Sequence, residues 1–293
     1  MKKLKICGFI VTHNRLDLLK KCYASLAKQS RSLDELIIIN NSSTDGTGEW
    51  LETLDDVTII TQENTGGAGG FRRGFDYAFE KGYDWTLQFD DDCEPALDYV
   101  EKAEPYLTKS EIKVCSGRFF DKGRNQFFCG AENSKWFSDQ NMKDELTKTE
   151  DAGFPFLFVH KDIYKNVGFP YKFWFIYLDD QEWIRRIRKV YDIYILPIDA
   201  GMHHSGRDSK VIKLAFGLVT REIPTYGTWK TYYFFRNVIV FNRIAGQSRF
   251  SLLLYNFGKL LLINFQKGDY WKRVFDAIRG IRDGLSMNIS DLK

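Results

Sequence analysis

Three consecutive acids follow a short apolar strand in the segment Trp85-Thr86-Leu87-Gln88-Phe89-Asp90-Asp91-Asp92. The pattern predicts a buried strand over Trp85–Phe89 that delivers several carboxylates to one end of a sheet. A solvated turn would explain three acids about as well, because short motifs are weak signals. Whether the segment forms a functional site or a solvated turn therefore depends on which other residues of the chain lie beside it.

The residues before this segment alternate short apolar strands with helices. Such alternation predicts parallel pairing in a doubly wound, mostly parallel α/β sheet. Ligands of such sheets bind beyond the carboxyl ends of the strands. Polar loops follow all four strands, and they begin at Thr12, Asn40, Glu63 and Asp90. The predicted strands are Leu4–Val11, Glu35–Ile39, Val57–Thr61 and Trp85–Phe89, and the predicted helices are Leu16–Ala27, Asp45–Leu54 and Phe71–Lys81.

Carboxylates and histidines in these loops point to a metal site. Asp90 and Asp92 are alternate residues at a strand end, so both can face one hard cation. Mg²⁺ and Mn²⁺ prefer oxygen ligands and leave positions open for phosphate oxygens. The adjacent pair His203 and His204 adds a candidate nitrogen ligand. The sequence therefore predicts a divalent metal site, and which histidine contributes to it stays open.

Two more segments have both a chemical and a purely structural explanation. The glycine run from Asn64 to Gly70 precedes a predicted helix, where backbone can approach a phosphate closely, although a flexible turn would look the same. Asp179 and Asp180 open a predicted helix, Asp179–Val190, where acids stabilise the helix dipole. Because an apolar run precedes them, burial would also raise their pKa toward the range of a general base.

Composition describes an ordinary globular chain. It has 293 residues, of which 44% are hydrophobic and 28% charged, which excludes a disordered protein. No run reaches the ~18 apolar residues of a membrane span, and no signal peptide is recognisable. The five cysteines form no CxxC pair. The odd count argues against a disulfide framework and predicts a reduced, cytoplasmic protein.

The net charge of +3 is divided unevenly. Residues 207–293 contain 15 Lys and Arg against 6 Asp and Glu, a balance of +9, so residues 1–206 carry −6. We therefore predict two regions: an acidic body, 1–206, and a basic, aromatic, mainly helical region, 207–293. The pattern becomes helical beyond Lys210 and is clearest from Tyr270 to Leu285. Such a region can face phosphates of nucleic acid or of a membrane.

In their order along the chain, several segments resemble family 2 of the nucleotide-sugar glycosyltransferases, which are inverting enzymes with the GT-A fold. The resemblance is to the galactofuranosyl- and rhamnosyltransferase branch that builds bacterial surface polysaccharides, such as O-antigen and capsule. It extends over about residues 5–240. The matching segments are Val11–Arg15, Asn40–Thr47, Asn64–Gly74, Gln88–Asp92, Gly168–Asp180, His203-His204 and Tyr232–Asn237.

The resemblance implies a substrate and a role for each site residue. The donor would be UDP-galactofuranose, with dTDP-rhamnose or another UDP-sugar next, and the acceptor a glycan or lipid-linked glycan. Residues 1–206 would form the nucleotide-sugar-binding and catalytic domain. The base and ribose would contact Thr12, Asn14, Arg15 and Asn41, the last of which stands where the family usually has Asp. The nucleotide and diphosphate would be lined by Asn64, Gly66, Gly67, Arg73 and Asp91.

The remaining implied roles concern the chemistry. Asp90 and Asp92 would hold Mn²⁺ or Mg²⁺, with His203 or His204 as the third protein ligand. Asp180 would be the general base and Asp179 a supporting acid. Trp174 and Tyr177 would shape the platform for the acceptor sugar.

Three other functions compete with this interpretation. A sugar-phosphate nucleotidyltransferase would need a basic glycine-rich loop after the first strand, which Thr12–Leu16 does not provide. A non-catalytic nucleotide- or polysaccharide-binding module stays open. Nucleic-acid binding by the C-terminal region is disfavoured because the body has no matching motif. For that region we predict peripheral contact with the inner face of the cell membrane. Packing on the body or a dimer interface has equal weight, and the run Leu252–Phe265 is too interrupted to span.

Overall fold

The computed structural model describes residues 3–129, 131–132, 135–136, 144–206, 209–214, 219–224, 226–248 and 268–292. The chain divides into two compact units. The first comprises Met1–Phe175 and Asp179–Ser205, and the second comprises Ile176–Leu178 and Gly206–Lys293. The charge pattern predicts two separate regions with a boundary after residue 206, and this boundary stays a prediction. Ile176–Leu178 group with the C-terminal residues instead of the body.

Ten strands of the first unit form one sheet, and two short strands pair separately. The short pair is β8 (Ala131–Glu132) and β9 (Lys135–Trp136). The ten strands are β1 (Ile6–Thr12), β2 (Glu35–Asn40), β3 (Thr58–Thr61), β4 (Trp85–Asp90), β5 (Cys93–Pro95), β6 (Val114–Asp121), β7 (Gln126–Phe128), β10 (Thr147–Thr149), β11 (Leu157–His160) and β12 (Ile193–His203).

The sheet has the order β10-β12-β6-β11-β4-β1-β2-β3, with β5 attached to β12 and β7 to β6. Strands β3, β2, β1 and β4 run parallel, as the alternation of strands and helices predicts. Strand β11 is antiparallel to both β4 and β6, whereas β12 is parallel to β6. The carboxyl ends of β1, β4, β6 and β12 therefore meet at the same edge.

Strand β1 shows why helices cover both faces of the sheet. Each of its residues is buried. Ile6 and Ile10 belong to one core cluster, and Cys7, Phe9 and Val11 belong to a second, because successive side chains of a strand point to opposite faces. A strand buried on both faces is a continuous apolar run, which is the pattern of this segment.

The helices of the first unit complete the two core clusters. Helices α1 and α4 contribute to the cluster of Ile6, and α3, α5 and α6 contribute to the cluster of Phe9. A short 3-10 turn covers Lys172–Trp174. The helices are α1 (Leu16–Ala27), α2 (Thr47–Leu51), α3 (Gly66–Glu80), α4 (Tyr99–Leu107), α5 (Asp162–Asn166) and α6 (Asp179–Ile187).

The glycine run lies inside a helix, which corrects the predicted start of α3 at Phe71. A Cβ atom at Gly70 would lie 2.3 Å from Val11 Cγ1, and one at Gly74 would lie 2.5 Å from the ring of Phe9. These glycines therefore allow α3 to approach β1 closely. Glycine is a poor helix former, and packing against the sheet supplies the stability that the local sequence lacks.

In the residues of the second unit that the structure describes, there are a hairpin and two long helices. The hairpin pairs β13 (Ser209–Leu214) with β14 (Val219–Pro224), so the prediction that the chain becomes helical beyond Lys210 is wrong there. Both segments are rich in β-branched residues, which favour strands. The helices that follow are α7 (Lys230–Ile244) and α8 (Tyr270–Ser286), and a 3-10 turn covers Ile289–Leu292.

Close packing joins the two helices of this unit. Phe235 of α7 and Ala277 of α8 are buried together, and a Cβ atom at Gly280 would lie 2.5 Å from the Tyr232 carbonyl oxygen. In the described part of the chain, every helix is too short or too polar to cross a lipid bilayer. The run Leu252–Phe265 lies outside the described residues.

Candidate active site

Strand pairing collects acidic and histidine side chains at one edge of the sheet. Strands β1 and β4 end side by side, with Val11 opposite Asp90. Strand β12 aligns His203 with Asp121 of β6 and with Cys93 of β5. Side chains that are more than one hundred residues apart in sequence are therefore held by adjacent strands.

His203 is surrounded by three carboxylates. Its Nε2 atom lies 3.0 Å from Asp92 Oδ1 and 3.9 Å from Asp90 Oδ2, and its Nδ1 atom lies 3.3 Å from Asp121 Oδ2. Burial alone would lower the pKa of His203, but hydrogen bonds to Asp121 and Asp92 raise that pKa to about 10. The site thus carries enough negative charge to hold a cation.

His204, the second histidine of the pair, faces Glu94 and not the predicted metal-binding acids. His204 Nε2 lies 2.9 Å from Glu94 Oε2, and its backbone N–H donates to the Asp92 carbonyl oxygen at 2.8 Å. The alternation of side chains along a strand separates the two rings. Of the two histidines, His203 is the one beside the predicted metal-binding acids.

Asp121 is a site residue that the sequence reasoning missed. It is 2% exposed and accepts hydrogen bonds from the backbone N–H of Arg124 and from Ser205 Oγ. Burial would raise its pKa, but His203 and Ser205 bring the pKa of Asp121 down to about 2. A signal was available, because Asp121 ends an apolar strand in the same way as Asp90.

The predicted metal-binding acids differ in their electrostatics. Burial and the charge of Asp92 raise the pKa of Asp90, and its side chain keeps 37% exposure. Burial would also raise the pKa of Asp92, but the hydrogen bond from His203 and the charge of Arg15 lower it. Asp90 therefore presents a partly solvated carboxyl group, whereas Asp92 is a buried carboxylate with two cationic neighbours.

Arg15 and Thr12 bind the acids that follow β4. Arg15 Nη1 lies 2.8 Å from Asp92 Oδ2 and 3.1 Å from Asp91 Oδ1, and Thr12 Oγ1 donates to Asp91 Oδ2 at 2.9 Å. Burial opposes the effect, but the charges of Asp91 and Asp92 raise the pKa of Arg15. The contacts of Arg15 and Thr12 with base and ribose stay predictions.

The donor atoms at this edge fit a hard divalent cation. One donor atom each from Asp92, Cys93 and His203 lies within 4.8 Å of the others, and Asp90 is adjacent. Burial and the charge of Asp90 raise the pKa of the Cys93 thiol well above its usual range, and Mn²⁺ and Mg²⁺ prefer oxygen ligands to a soft sulfur ligand. Two carboxylates and an imidazole then remain, a set that suits Mn²⁺ or Mg²⁺.

Asn41 is buried, and both its amide oxygen and its amide nitrogen already have hydrogen-bond partners. It is 2% exposed, its Oδ1 accepts from Gln62 Nε2 at 2.8 Å, and its Nδ2 donates to the Gly66 carbonyl oxygen at 3.1 Å. A contact from its amide oxygen to a base would first require the hydrogen bond from Gln62 to open. Gln62 is thus a second residue, after Asp121, that the sequence reasoning missed.

The start of α3 is shaped by Asn64 and Gly66. Asn64 Oδ1 accepts from the Gly66 backbone N–H at 2.9 Å. Gly66 has φ +72°, and a Cβ atom there would lie 2.1 Å from the Phe175 carbonyl oxygen, so only glycine fits. A Cβ atom at Gly67 would meet nothing within 4 Å, and Arg73 is exposed on the same helix. Elsewhere at this edge, Asn14 Oδ1 accepts from the Thr44 backbone N–H at 2.6 Å.

Asp179 and Asp180 open α6. Asp179 is 8% exposed and Asp180 is partly exposed. Burial, followed by the charges of Asp151 and Asp90, raises the pKa of Asp180 to about 7. Burial and the charge of Asp180 raise the pKa of Asp179 to about 7. Asp179 and Asp180 belong to the first unit, which also contains the predicted metal-binding acids.

The backbone immediately before these two acids is strained. Phe175, Tyr177 and Leu178 have φ values of 64°, 70° and 66°, a region that costs non-glycine residues about 1–3 kcal/mol each. Within the second unit, the buried Asn237 donates from Nδ2 to the carbonyl oxygens of Ile176 at 2.6 Å and Tyr177 at 3.1 Å. Strain next to a pair of buried acids is typical of functional sites.

The two predicted acceptor-binding aromatics have different surroundings. Trp174 is fully buried and packs against Phe173, with ring centroids 4.6 Å apart. It presents no free ring face in this conformation. Tyr177 belongs to the second unit, where its ring lies edge-on to Phe234. Acceptor binding by Trp174 and Tyr177 stays a prediction.

Solved structures share the fold of this chain. S. aureus TarS 1-349 in complex with UDP aligns over 98% of this chain and 74% of its own, with 12% identity and a TM-score of 0.54. GalNAc-T7 with UDP, GalNAc and Mn²⁺ aligns over 70% of this chain and 45% of its own, with 13% identity and a TM-score of 0.54. The expected GT-A fold, a mixed α/β structure with a central, mostly parallel sheet, is confirmed.

Sequence relatives are themselves glycosyltransferases. The chain is 33% identical over 93 residues to galactofuranosyltransferase GlfT1 of Mycolicibacterium smegmatis, which covers 31% of both chains. It is 25% identical over 306 residues to dTDP-rhamnosyl transferase RfbF of Shigella flexneri, which covers 95% of this chain and 97% of RfbF. The chain thus spans less than a third of the GlfT1 that it matches, but nearly all of RfbF.

The family model described as glycosyl transferase family 2 matches residues 8–168. This range is more than half of the chain, and it contains β1, β4 and the acids that follow β4. The resemblance to family 2 seen in the sequence is therefore confirmed. The chain belongs to glycosyl transferase family 2.

Proposed function

We propose that this protein is an inverting, metal-dependent glycosyltransferase that moves galactofuranose from UDP-galactofuranose to a hydroxyl group of a growing bacterial surface glycan. The acceptor is a glycan or lipid-linked glycan. The observation that supports the proposal best is the cluster of Asp90, Asp92 and His203 at the carboxyl edge of the sheet, where His203 Nε2 lies 3.0 Å from Asp92 Oδ1 and 3.9 Å from Asp90 Oδ2. Transfer from a nucleotide sugar needs a centre that neutralises the departing diphosphate and a base close to it, and Asp90 and Asp180 supply one group of each kind.

Asp180 acts as the general base. A pKa near 7 suits a group that must accept a proton near neutral pH. Asp180 takes the proton of the acceptor hydroxyl while that oxygen attacks the anomeric carbon. The bond from this carbon to the diphosphate breaks, UDP leaves with the electron pair, and attack from the opposite side inverts the configuration. Asp179 is the supporting acid beside it.

Asp90, Asp92 and His203 are the residues that would hold Mn²⁺ or Mg²⁺. When bound, such a metal supplies positive charge and Lewis acidity at the departing diphosphate. Arg15 contributes a second positive charge at the same edge, because its guanidinium lies against Asp91 and Asp92 and is 44% exposed. Its exposed part can contact the nucleotide while its buried part orders the acids.

The nucleotide contacts belong to the loops that follow β1 and β3. Asn14 and Asn64 hold the loop backbones, Gly66 allows the close approach of the Phe175 carbonyl oxygen, and Gly67 leaves room beside the start of α3 for a phosphate. Helix N-termini favour anions because their N–H groups and dipole point outward. Arg73 adds an exposed positive charge on α3. Orientation of both substrates by these groups lowers the entropic cost of transfer.

A donor screen by titration calorimetry with Mn²⁺ present tests this proposal. UDP-galactofuranose should bind, and incubation should release UDP slowly even without an acceptor. Asp92→Ala or excess chelator should abolish most of that release while the fold is retained, since Asp92 lies at the edge of the sheet. Binding of donor without any release of UDP would favour a non-catalytic binding module instead. Full turnover in chelator would remove the metal from the proposal.

Rhamnosyl transfer is the second candidate function. Its support is the alignment with dTDP-rhamnosyl transferase RfbF, which covers nearly the whole of both chains, whereas the GlfT1 alignment is more identical but much shorter. Including dTDP-rhamnose and UDP-galactose in the same screen separates the candidates. Tighter binding and faster turnover of dTDP-rhamnose would identify rhamnose, and not galactofuranose, as the sugar that is transferred. The roles proposed for the site residues would stay the same.

We also propose that α8 contacts the inner face of the cell membrane. The side chains of Trp271, Phe275 and Ile278 recur at helical spacing and are 76%, 66% and 56% exposed. Large apolar groups on one helix face with basic neighbours are typical of helices that lie in a bilayer interface. Arg273 of the same helix is 1% exposed and donates a hydrogen bond to Thr231 Oγ1 at 3.0 Å, so it contributes to the core instead.

A further inference from the structure

His203 has carboxylates at both ring nitrogens, but only one side belongs to the proposed metal site. Its Nε2 atom faces Asp92 at 3.0 Å and Asp90 at 3.9 Å, while its Nδ1 atom faces Asp121 at 3.3 Å. Imidazole binds a metal through a nitrogen that carries no proton. Which nitrogen keeps the single proton of the neutral ring therefore decides whether Nε2 is available to a cation.

Asp121 has the surroundings of a fixed proton acceptor. Its Oδ1 atom accepts from the Arg124 backbone N–H at 2.9 Å and from Ser205 Oγ at 2.5 Å. The Oδ2 atom is then directed at His203. The carboxylate is 2% exposed, and the pairing of β6 with β12 aligns the two residues. The contact is thus built on two strands of the central sheet, which hold a geometry better than loops do.

We propose that Asp121 is a positioning residue for the metal site. By accepting the Nδ1 proton of His203, it leaves Nε2 without a proton and aimed at a divalent cation held by Asp90 and Asp92. A carboxylate behind a metal-binding histidine fixes the ring orientation and makes the imidazole a stronger ligand. The inference rests on the proposed metal dependence, and it adds a residue that does not itself touch the metal or the substrates.

Asp121→Asn provides a test in which the shape of the side chain is kept. The two donors, from Arg124 and Ser205, require an oxygen at the Oδ1 position, so the new NH₂ group must face His203. It would donate to Nδ1 and force the ring proton onto Nε2, where the metal should bind. We expect Mn²⁺ to bind about 10- to 100-fold more weakly. Calorimetric titration with Mn²⁺, with and without UDP, measures this independently of transfer activity.

Glu94→Gln is the matched control. It makes the same chemical change beside the neighbouring histidine, because Glu94 Oε2 lies 2.9 Å from His204 Nε2. The affinity for Mn²⁺ should remain that of the unmodified protein. An equal loss in Glu94→Gln and Asp121→Asn would mean that the effect is a general loss of negative charge, and it would overturn the positioning role.

Imidazole ¹⁵N NMR of the Mg²⁺-loaded protein tests the proton position directly. For His203 we expect a protonated Nδ1 and an unprotonated Nε2, and Asp121→Asn should lose this pattern. The spectrum of the unmodified protein is decisive even if the variant does not fold, since a proton on Nε2 there would refute the inference. If the unmodified protein binds no Mn²⁺ or Mg²⁺, the proposed metal dependence fails. If it binds metal and Asp121→Asn binds equally well, only the role of Asp121 fails.

Discussion

Replacing Asp180 by Asn separates proton transfer from donor binding. The amide keeps the size of the carboxyl group and can still accept from the Gln181 backbone N–H, but it cannot take a proton from the acceptor. We expect the transfer rate to fall by about 100-fold or more, while donor affinity in calorimetry stays nearly unchanged. Asp179→Asn is the control. Normal transfer by Asp180→Asn with an inactive Asp179→Asn would move the base to Asp179, and two active variants would mean that the acids only stabilise the start of α6.

The transfer rate should also depend on the charge near Asp180. Its pKa is raised to about 7, so the basic form is lost as the pH falls below 7, and the rate should decline there. The midpoint belongs to Asp179 and Asp180 together because the two acids interact. Asp151 raises this pKa, so Asp151→Asn should move the midpoint of the pH–rate profile to lower pH. A profile that stays in place, or moves to higher pH, would show that Asp151 does not act on the base.

Individual site residues differ in how far the sequence can predict them. Asp90 and Asp92 were predictable because their role follows from local position, at the end of an apolar strand. The choice of His203 over His204 depends on the pairing of β12 with β5 and β6, which no local pattern determines. Asp121 also ends a strand, which is a local signal, but its contact with His203 arises only when β12 aligns the two residues. Residues whose role depends on a distant strand therefore remained ambiguous or unseen.

The glycines of α3 provide a test at the level of a structural element. In Gly74→Ala the new methyl group would lie 2.5 to 2.7 Å from atoms of the Phe9 ring, and Phe9 is fully buried. Overpacking of this kind should lower the free energy of unfolding by about 1–3 kcal/mol. Denaturant unfolding measures the change.

Gly67→Ala is the matched control on the same helix. Its methyl group would meet nothing within 4 Å, and alanine favours a helix interior by about 1 kcal/mol over glycine. The protein should therefore be as stable as before or slightly more stable. Donor affinity should nevertheless fall if a phosphate approaches this backbone. Equal stability of Gly74→Ala and Gly67→Ala would contradict the close packing of α3 on β1.

Elements were predictable where local preference and packing agree. The helix predicted at Leu16–Ala27 has those bounds, because its apolar spacing matches the face that it buries. Strand β12 extends to His203, because pairing with β6 and β5 continues it past Pro197 and Gly201. The helix α3 begins earlier than predicted because its glycines allow close packing on β1, and this packing stabilises a segment that has a low local preference for a helix. Tertiary contacts decide the bounds where local preference is weak or opposed.

On the scale of the whole molecule, the two parts of the chain differ in the sign of their net charge. The acidic part contains the candidate site, whereas residues 207–293 carry a balance of +9. On α8 the side chains of Lys272, Arg279 and Arg282 are 57%, 45% and 73% exposed. Basic groups near an anionic bilayer contribute about 1 kcal/mol each. These exposed apolar and basic side chains on one helix are the basis of the proposed membrane contact.

Flotation with anionic liposomes tests this membrane contact. The intact protein should float at low salt and less at high salt, because screening weakens the electrostatic part. Replacing Lys272, Arg279 and Arg282 by Ser should reduce flotation at low salt. Replacing Trp271 and Phe275 by Ser should reduce it at any salt concentration, since apolar burial is not screened. Trp271→Ser with Phe275→Ser should keep the fold, because both side chains are exposed. In the basic-to-Ser variant the buried Asp276 loses its ion pairs with Lys272 and Arg279, so far-UV circular dichroism of both variants is the accompanying control.

The same loss of three positive charges can be made on the acidic part of the chain. Lys20, Lys21 and Lys28 are exposed on or next to α1, and their replacement by Ser should leave flotation unchanged if α8 is the contact surface. An equal loss in this control would mean that the liposomes respond only to net charge. If the intact protein does not float and forms a dimer in solution, the apolar face of α8 is an interface between two copies of the chain. In that case Trp271→Ser with Phe275→Ser should yield a monomer, because the two largest exposed apolar groups of the helix would be gone.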